Sequence, residues 1–145
     1  MRMSGLALLL GAASVPAAIA VTSAAHAQTA VPANAVYKNA SAPVDARVDD
    51  LLARMTLEEK VAQIITIWDN KPEIFDDKAE FDPVKMSAKF PNGIGQFARP
   101  SDAKGPVSPR TAKGRDIRGT IRLVNAMQKH AVTKTRLGIP ILMHE

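Results

Sequence analysis

The chain has 145 residues, 46% of them hydrophobic and 23% charged, with 10 Pro, 8 Gly and no Cys. These proportions are those of an ordinary globular domain rather than a disordered, collagen-like or membrane-spanning chain, and the lack of thiols excludes disulfide frameworks, Cys-ligated zinc, iron–sulfur clusters and thiol nucleophiles within it. A formal net charge of +5 is too mild to argue for nucleic acid, which calls for a clustered basic face with aromatic neighbours.

Met1-Arg2-Met3-Ser4 is positively charged, Leu6 to Ala20 is mostly apolar, and Ala25-His26-Ala27 has the small-x-small pattern of a signal-peptidase site. The expectation is a signal peptide over 1–27 with Gln28 as the first mature residue. A spanning anchor needs about 20 continuous apolar residues, and Pro16, Thr22 and Ser23 interrupt this stretch. Export to a periplasm or the outside follows, with no membrane attachment after cleavage. Residues 28–43, rich in Ala, Asn, Ser and Pro, read as a flexible lead-in segment.

Val44, Val48, Leu51, Leu52 and Met55 share one helical stripe, so a surface helix with a buried side is predicted there. Thr56-Leu57-Glu58-Glu59 spells a capping box, which starts a second helix at Leu57. Ile64 to Trp68 is β-branched and aromatic enough for a short strand. Asp69 to Lys89, with Pro72 and Pro83, reads as a long surface excursion with one helical turn near Val84 to Lys89. Pro91-Asn92-Gly93 is a turn signal feeding a strand from Ile94 to Ala98, in which Gly95 permits close backbone approach and beyond which Arg99 sits at the strand mouth. Pro100 to Gly114 is a loop. Ile117, Ile121, Val124, Met127 and Ala131 recur at helical spacing, predicting a helix over about Asp116 to Arg136 that Gly138 stops in the left-handed C′ position. Ile139 to Met143 reads as a buried strand.

Strand, strand, long helix and strand with near-continuous apolar strands predict a parallel α/β sheet covered by helices. A closed eight-unit barrel needs about 250 residues, and the last strand has no covering helix before Glu145, so the pattern reads as an incomplete fold, a fragment. Gly93-Ile94-Gly95-Gln96-Phe97-Ala98 spells a dinucleotide fingerprint but lacks the preceding strand and following helix it needs. His144-Glu145 could open a zinc motif, but the second His is absent and the preceding residues read as strand, so no metal is expected and His130 is a helix-face residue. The Lys and Arg residues between Arg99 and Arg122 have no aromatic after Phe97 to stack bases, so they read as solvated surface.

Met55 to Gln63, Asn92 to Gly95, and Arg136-Leu137-Gly138-Ile139-Pro140-Ile141-Leu142-Met143-His144-Glu145, taken together and in order, resemble the N-terminal part of glycoside hydrolase family 3, the exported β-glucosidase and β-xylosidase group. The resemblance covers about Val44 to Glu145. It implies the first part of a (β/α)₈ TIM-like barrel over 44–145, truncated, with its first three strands near Ile64, Ile94 and Ile139. It further implies a retaining hydrolase of terminal β-linked glucose or xylose that needs no cofactor. Its nucleophilic Asp and acid/base Glu are expected beyond Glu145, so no catalytic residue lies in this chain and the chain alone is expected to be inactive. His144 and Glu145 would lie beside the sugar subsite as substrate-binding candidates. The alternative from another class is an exported module that binds a glycan or anionic polymer without cleaving it.

Overall fold

A computed structural model describes residues 30–102 and 114–144. The predicted signal peptide, most of the loop after Pro100 and Glu145 lie outside the described residues. Within the lead-in stretch, Val36–Lys38 forms a 3-10 turn, and Tyr37 is tied at both ends: its amide donates to Asp50 Oδ2 at 3.1 Å and its hydroxyl to the Leu137 carbonyl at 2.6 Å. Helix α1 (Val44–Arg54) has the predicted extent, but none of its residues is buried. Val44, Val48 and Leu52 of the apolar stripe are exposed, and Leu51 is half-buried.

Helix α2 (Leu57–Ala62) starts where the capping box places it, with Glu59 N–H donating to Thr56 Oγ1 at 3.2 Å and Thr56 N–H to Glu59 Oε2 at 3.0 Å. Strand β1 (Thr66–Ile67) follows and is shorter than the apolar run suggested. The excursion after it departs from the surface loop expected. Lys71, Ile74, Phe75 and Met86 are buried, Lys71–Glu73 forms a 3-10 turn, and Asp82 caps α3 (Pro83–Lys89), which has two turns. The apolar members of this stretch fall without regular period because they reach the core from turns rather than from one face of an element.

Strand β2 (Gln96–Ala98) is preceded by Gly95, where a Cβ would stand 1.8 Å from the Gln63 carbonyl oxygen. That closeness is what lets Gly95 N–H donate to Ala62 O at 2.8 Å and join β2 to the end of α2. Helix α4 (Ile117–Lys134) is capped by Asp116, whose Oδ1 accepts from Gly119 N–H at 2.6 Å. Its buried face is Gly119, Leu123, Met127, His130 and Ala131, rotated from the predicted stripe: Ile117 is 80% exposed and Ile121 is also exposed. The helix stops at Thr135, and Gly138 (φ 66°) turns the chain three residues later instead of occupying C′. Strand β3 (Leu142–His144) begins beyond Pro140 and runs to His144, so the strand predicted from Ile139 is displaced toward the carboxyl end.

The three strands form one parallel sheet in the order β1-β2-β3, with Ile67 opposite Phe97 and Phe97 opposite Met143. The architecture is mixed α/β, as expected. Ile67 and Phe97 join Ile74, Phe75, Met86, Leu123, Met127 and Ile141 in a single core beneath the helices. Adjacent residues on a strand point to opposite faces, and the register Thr66, Gln96, Leu142 occupies the other face, where Leu142 is 63% exposed.

Candidate functional site

In parallel α/β sheets, ligands bind outside the carboxyl ends of the strands, which here are Trp68, Arg99 and His144. Arg99 follows β2 with φ 50°, the left-handed region that a side chain rarely adopts. Three hydrogen bonds hold it there. Its amide donates to the His144 carbonyl at 2.6 Å, while its carbonyl accepts from Lys71 Nζ at 2.6 Å and from the Asp102 amide at 3.0 Å. Lys71 is fully buried, also reaches the Asp102 carbonyl at 3.5 Å, and places its ammonium 5.2 Å from the centre of the Phe97 ring. The Arg99 guanidinium forms an ion pair with Asp102, Nε to Oδ2 at 3.1 Å, with the two side chains 28% and 11% exposed. Non-glycine residues held in this backbone region by surrounding bonds concentrate at ligand sites.

His144, proposed from the sequence as substrate-binding, is the exposed last residue of β3 and takes part in this cluster through its carbonyl. Glu145 lies outside the described residues. Trp68 directly follows β1 and is 47% exposed, at the same end of the sheet. Lys71 and Asp102 escaped the sequence reading: neither belongs to a periodic element, and the only available signal was the Ile74-Phe75 pair, which draws the turn carrying Lys71 into the core.

The other ionisable groups serve the scaffold. Glu59 is buried, and burial alone would raise its carboxyl pKa, but the Arg136 fork and the Thr56 amide outweigh that and hold it below the ordinary value. Arg136 donates Nε to Oε1 at 2.8 Å and a terminal amino group to Oε2 at 2.5 Å. A carboxyl held low and fully paired makes a poor general acid. The Arg54 hydrogen bond holds Asp50 low in the same way. His130 is buried against the edge of the Phe81 ring at 5.6 Å, and burial, then Lys134, lowers its pKa. Among the described residues, no group of three His, Asp or Glu could hold a metal ion, and no helix is long and apolar enough to cross a membrane.

Two concavities among the described residues lie at the opposite end of the sheet. One of about 660 Å³ runs between Tyr37, Val44, Leu51, Leu137 and Pro140, and one of about 370 Å³ between Leu57, Val61, Ile65 and Phe90. Both are bounded by the uncovered apolar sides of α1 and α2, and the larger is also lined by Lys38, Arg47 and Arg136.

Comparison with known proteins bears on what the strand-end cluster serves. The chain is 37% identical over 106 residues to "Beta-glucosidase C" of Emericella nidulans, an alignment covering 73% of this chain. It is a relative of proteins named as β-glycosidases. The β-glucosidase match is joined by "Putative beta-xylosidase" of Formosa agariphila, 32% identical over 107 residues, and "Probable beta-glucosidase C" of Aspergillus oryzae, 36% identical over 112 residues, each again across 73% of the chain. The chain spans only 13 to 15% of the length of these β-glycosidase relatives. No family model matches the chain.

Proposed function

We propose that this chain is the first part of the (β/α)₈-like barrel of an exported, retaining β-glycosidase of glycoside hydrolase family 3 that removes terminal β-linked glucose or xylose. The observation that carries the reading is the 37% identity to a β-glucosidase across 73% of the chain. A parallel sheet whose spatial order follows the chain, with α4 between β2 and β3, is the arrangement such a barrel would begin with.

Retention needs two carboxyl groups about 5–5.5 Å apart, one attacking the anomeric carbon and the other protonating the leaving oxygen. Four of the described carboxylates are engaged in the scaffold: Glu59 is locked to Arg136, Asp50 to Arg54, and Asp82 and Asp116 cap helices. The nucleophile and acid/base are assigned to the remainder of the full-length protein, with His144 and Glu145 beside the sugar. An aryl β-glucoside and an aryl β-xyloside assayed with both forms test this. The expected result is turnover by the full-length protein and none by residues 28–145. Turnover by the short chain would contradict the assignment, and an inactive full-length protein that still binds glycans would move the reading to a binding module. N-terminal sequencing of exported material should begin at Gln28, and a start at Met1 would mean that the leader is an anchor.

A further inference from the structure

Sugars are gripped in two ways at once: an aromatic face covers the C–H surface of the ring, and planar charged side chains exchange hydrogen bonds with neighbouring hydroxyls. The carboxyl ends of β1 and β2 bring both chemistries together. Ile67 is paired with Phe97, Trp68 directly follows Ile67, and Arg99 lies two residues beyond Phe97. Trp68 is half exposed. The guanidinium of Arg99 is engaged with Asp102 through Nε, and its side chain is 28% exposed. An Arg and Asp locked side by side present donors and an acceptor at the spacing of vicinal hydroxyls.

The backbone beneath this pair is built at a conformational cost. Arg99 is left-handed, and the group that pins its carbonyl is an ammonium with no exposed surface. A buried lysine needs its charge satisfied, and Lys71 meets that need at the loop that carries Arg99 and Asp102. Its Nζ reaches the carbonyls of both residues, and its charge also lies over Phe97 of β2. A structural lysine with no other task would serve equally well beneath any loop. This one fixes the two residues that meet at the open end of the sheet.

Resting on the glycosidase reading above, we infer that Trp68, Arg99 and Asp102 form a hydroxyl-and-ring-binding surface for the glycoside, and that Lys71 is a positioning residue that holds Arg99 and Asp102 in their binding geometry. The test uses the full-length protein, with steady-state kinetics on an aryl β-glucoside. Arg99→Ala should raise KM at least tenfold with a smaller change in kcat, Arg99→Lys should recover part of that loss, and Trp68→Ala should raise KM where Trp68→Phe does so less. Lys71→Met should also raise KM, and the double variant Arg99→Ala, Lys71→Met should cost clearly less than the sum of the two single changes, because Lys71 acts in part through Arg99. Additive effects would overturn the positioning role. Should Lys71→Met fail to fold, Asp102→Asn is the second probe, and it should raise KM with the melting temperature kept. A wild-type protein that turns over the glucoside while Arg99→Ala and Trp68→Ala leave KM unchanged would overturn this inference alone, and a wild type with no turnover would overturn the glycosidase reading and this inference with it.

Discussion

The Glu59 carboxylate accepts from the Thr56 amide and from the Arg136 fork at once, and Arg136 also donates to the Arg54 carbonyl at 2.8 Å. One side chain therefore caps α2 and joins it to the segment after α4. Removing one partner of a buried pair costs about 3–5 kcal/mol, because the other charge is left behind without compensation. Arg136→Met should accordingly speed amide hydrogen exchange in α2 by about 100-fold or more, whereas an exposed pair such as Lys89–Glu73 should be silent when broken. The same pair sets a pH dependence. Folding lowers the Glu59 pKa from about 4.5, so its stabilisation is fully present above that value and is lost as the pH falls through the lower folded value. Protection of the α2 amides should be flat at neutral pH and decline below about pH 4.5, and Glu59→Gln should flatten that decline. An unchanged profile in Glu59→Gln would assign the acid sensitivity to another carboxylate.

At the scale of elements, Gly95 is the tightest point of the sheet. A methyl group there would overlap the Gln63 carbonyl, so Gly95→Ala must push β2 away from α2. The change would break the bonds from Gly95 N–H to Ala62 O and from Leu142 N–H to Gly95 O. Loss above about 4 kcal/mol is expected, read as failure of the full-length protein to accumulate in soluble form, with Gly93→Ala as a milder comparison. This glycine was legible in the sequence because only close approach explains a glycine before an apolar strand. The capping box, the start of α2, the Asp116 start of α4 and the parallel order were legible for similarly local reasons. The inward face of α4 was not. Ile117, Ile121 and Val124 share an apolar arc with Leu123 and Met127, and helical period fixes the spacing of such residues but leaves open which side finds a neighbour. Phe81 and Ser87, from the excursion before β2, supply neighbours for His130 on the chosen side. The strand-end cluster was legible only in part: Arg99 stood out at the mouth of β2, while Lys71 and Asp102 acquire meaning only when separate turns meet around its carbonyl.

At the scale of the whole molecule, the described residues cover the sheet on one face only. Parallel sheets are ordinarily buried on both, yet Leu142 is largely exposed and the stripe of α1 also meets solvent. Both β1 and β3 are edge strands in the sheet described, and unpaired edges beside apolar surface favour association. Residues 28–145 produced alone should therefore run as aggregates or melt broadly by circular dichroism and size-exclusion chromatography. A monomer with a sharp two-state transition would show that the single core beneath the helices suffices.

The Glu59–Arg136 bond also carries a clock. Its partners are 77 residues apart in the chain, and synthesis at 5–20 residues per second separates their appearance by about 4 to 15 s. Through that interval α2 has its cap but not its clasp, and Tyr37 must wait longer still for the Leu137 carbonyl. The segment that carries α1 and α2 is thus made early and secured late, with a window of seconds before its last bonds close.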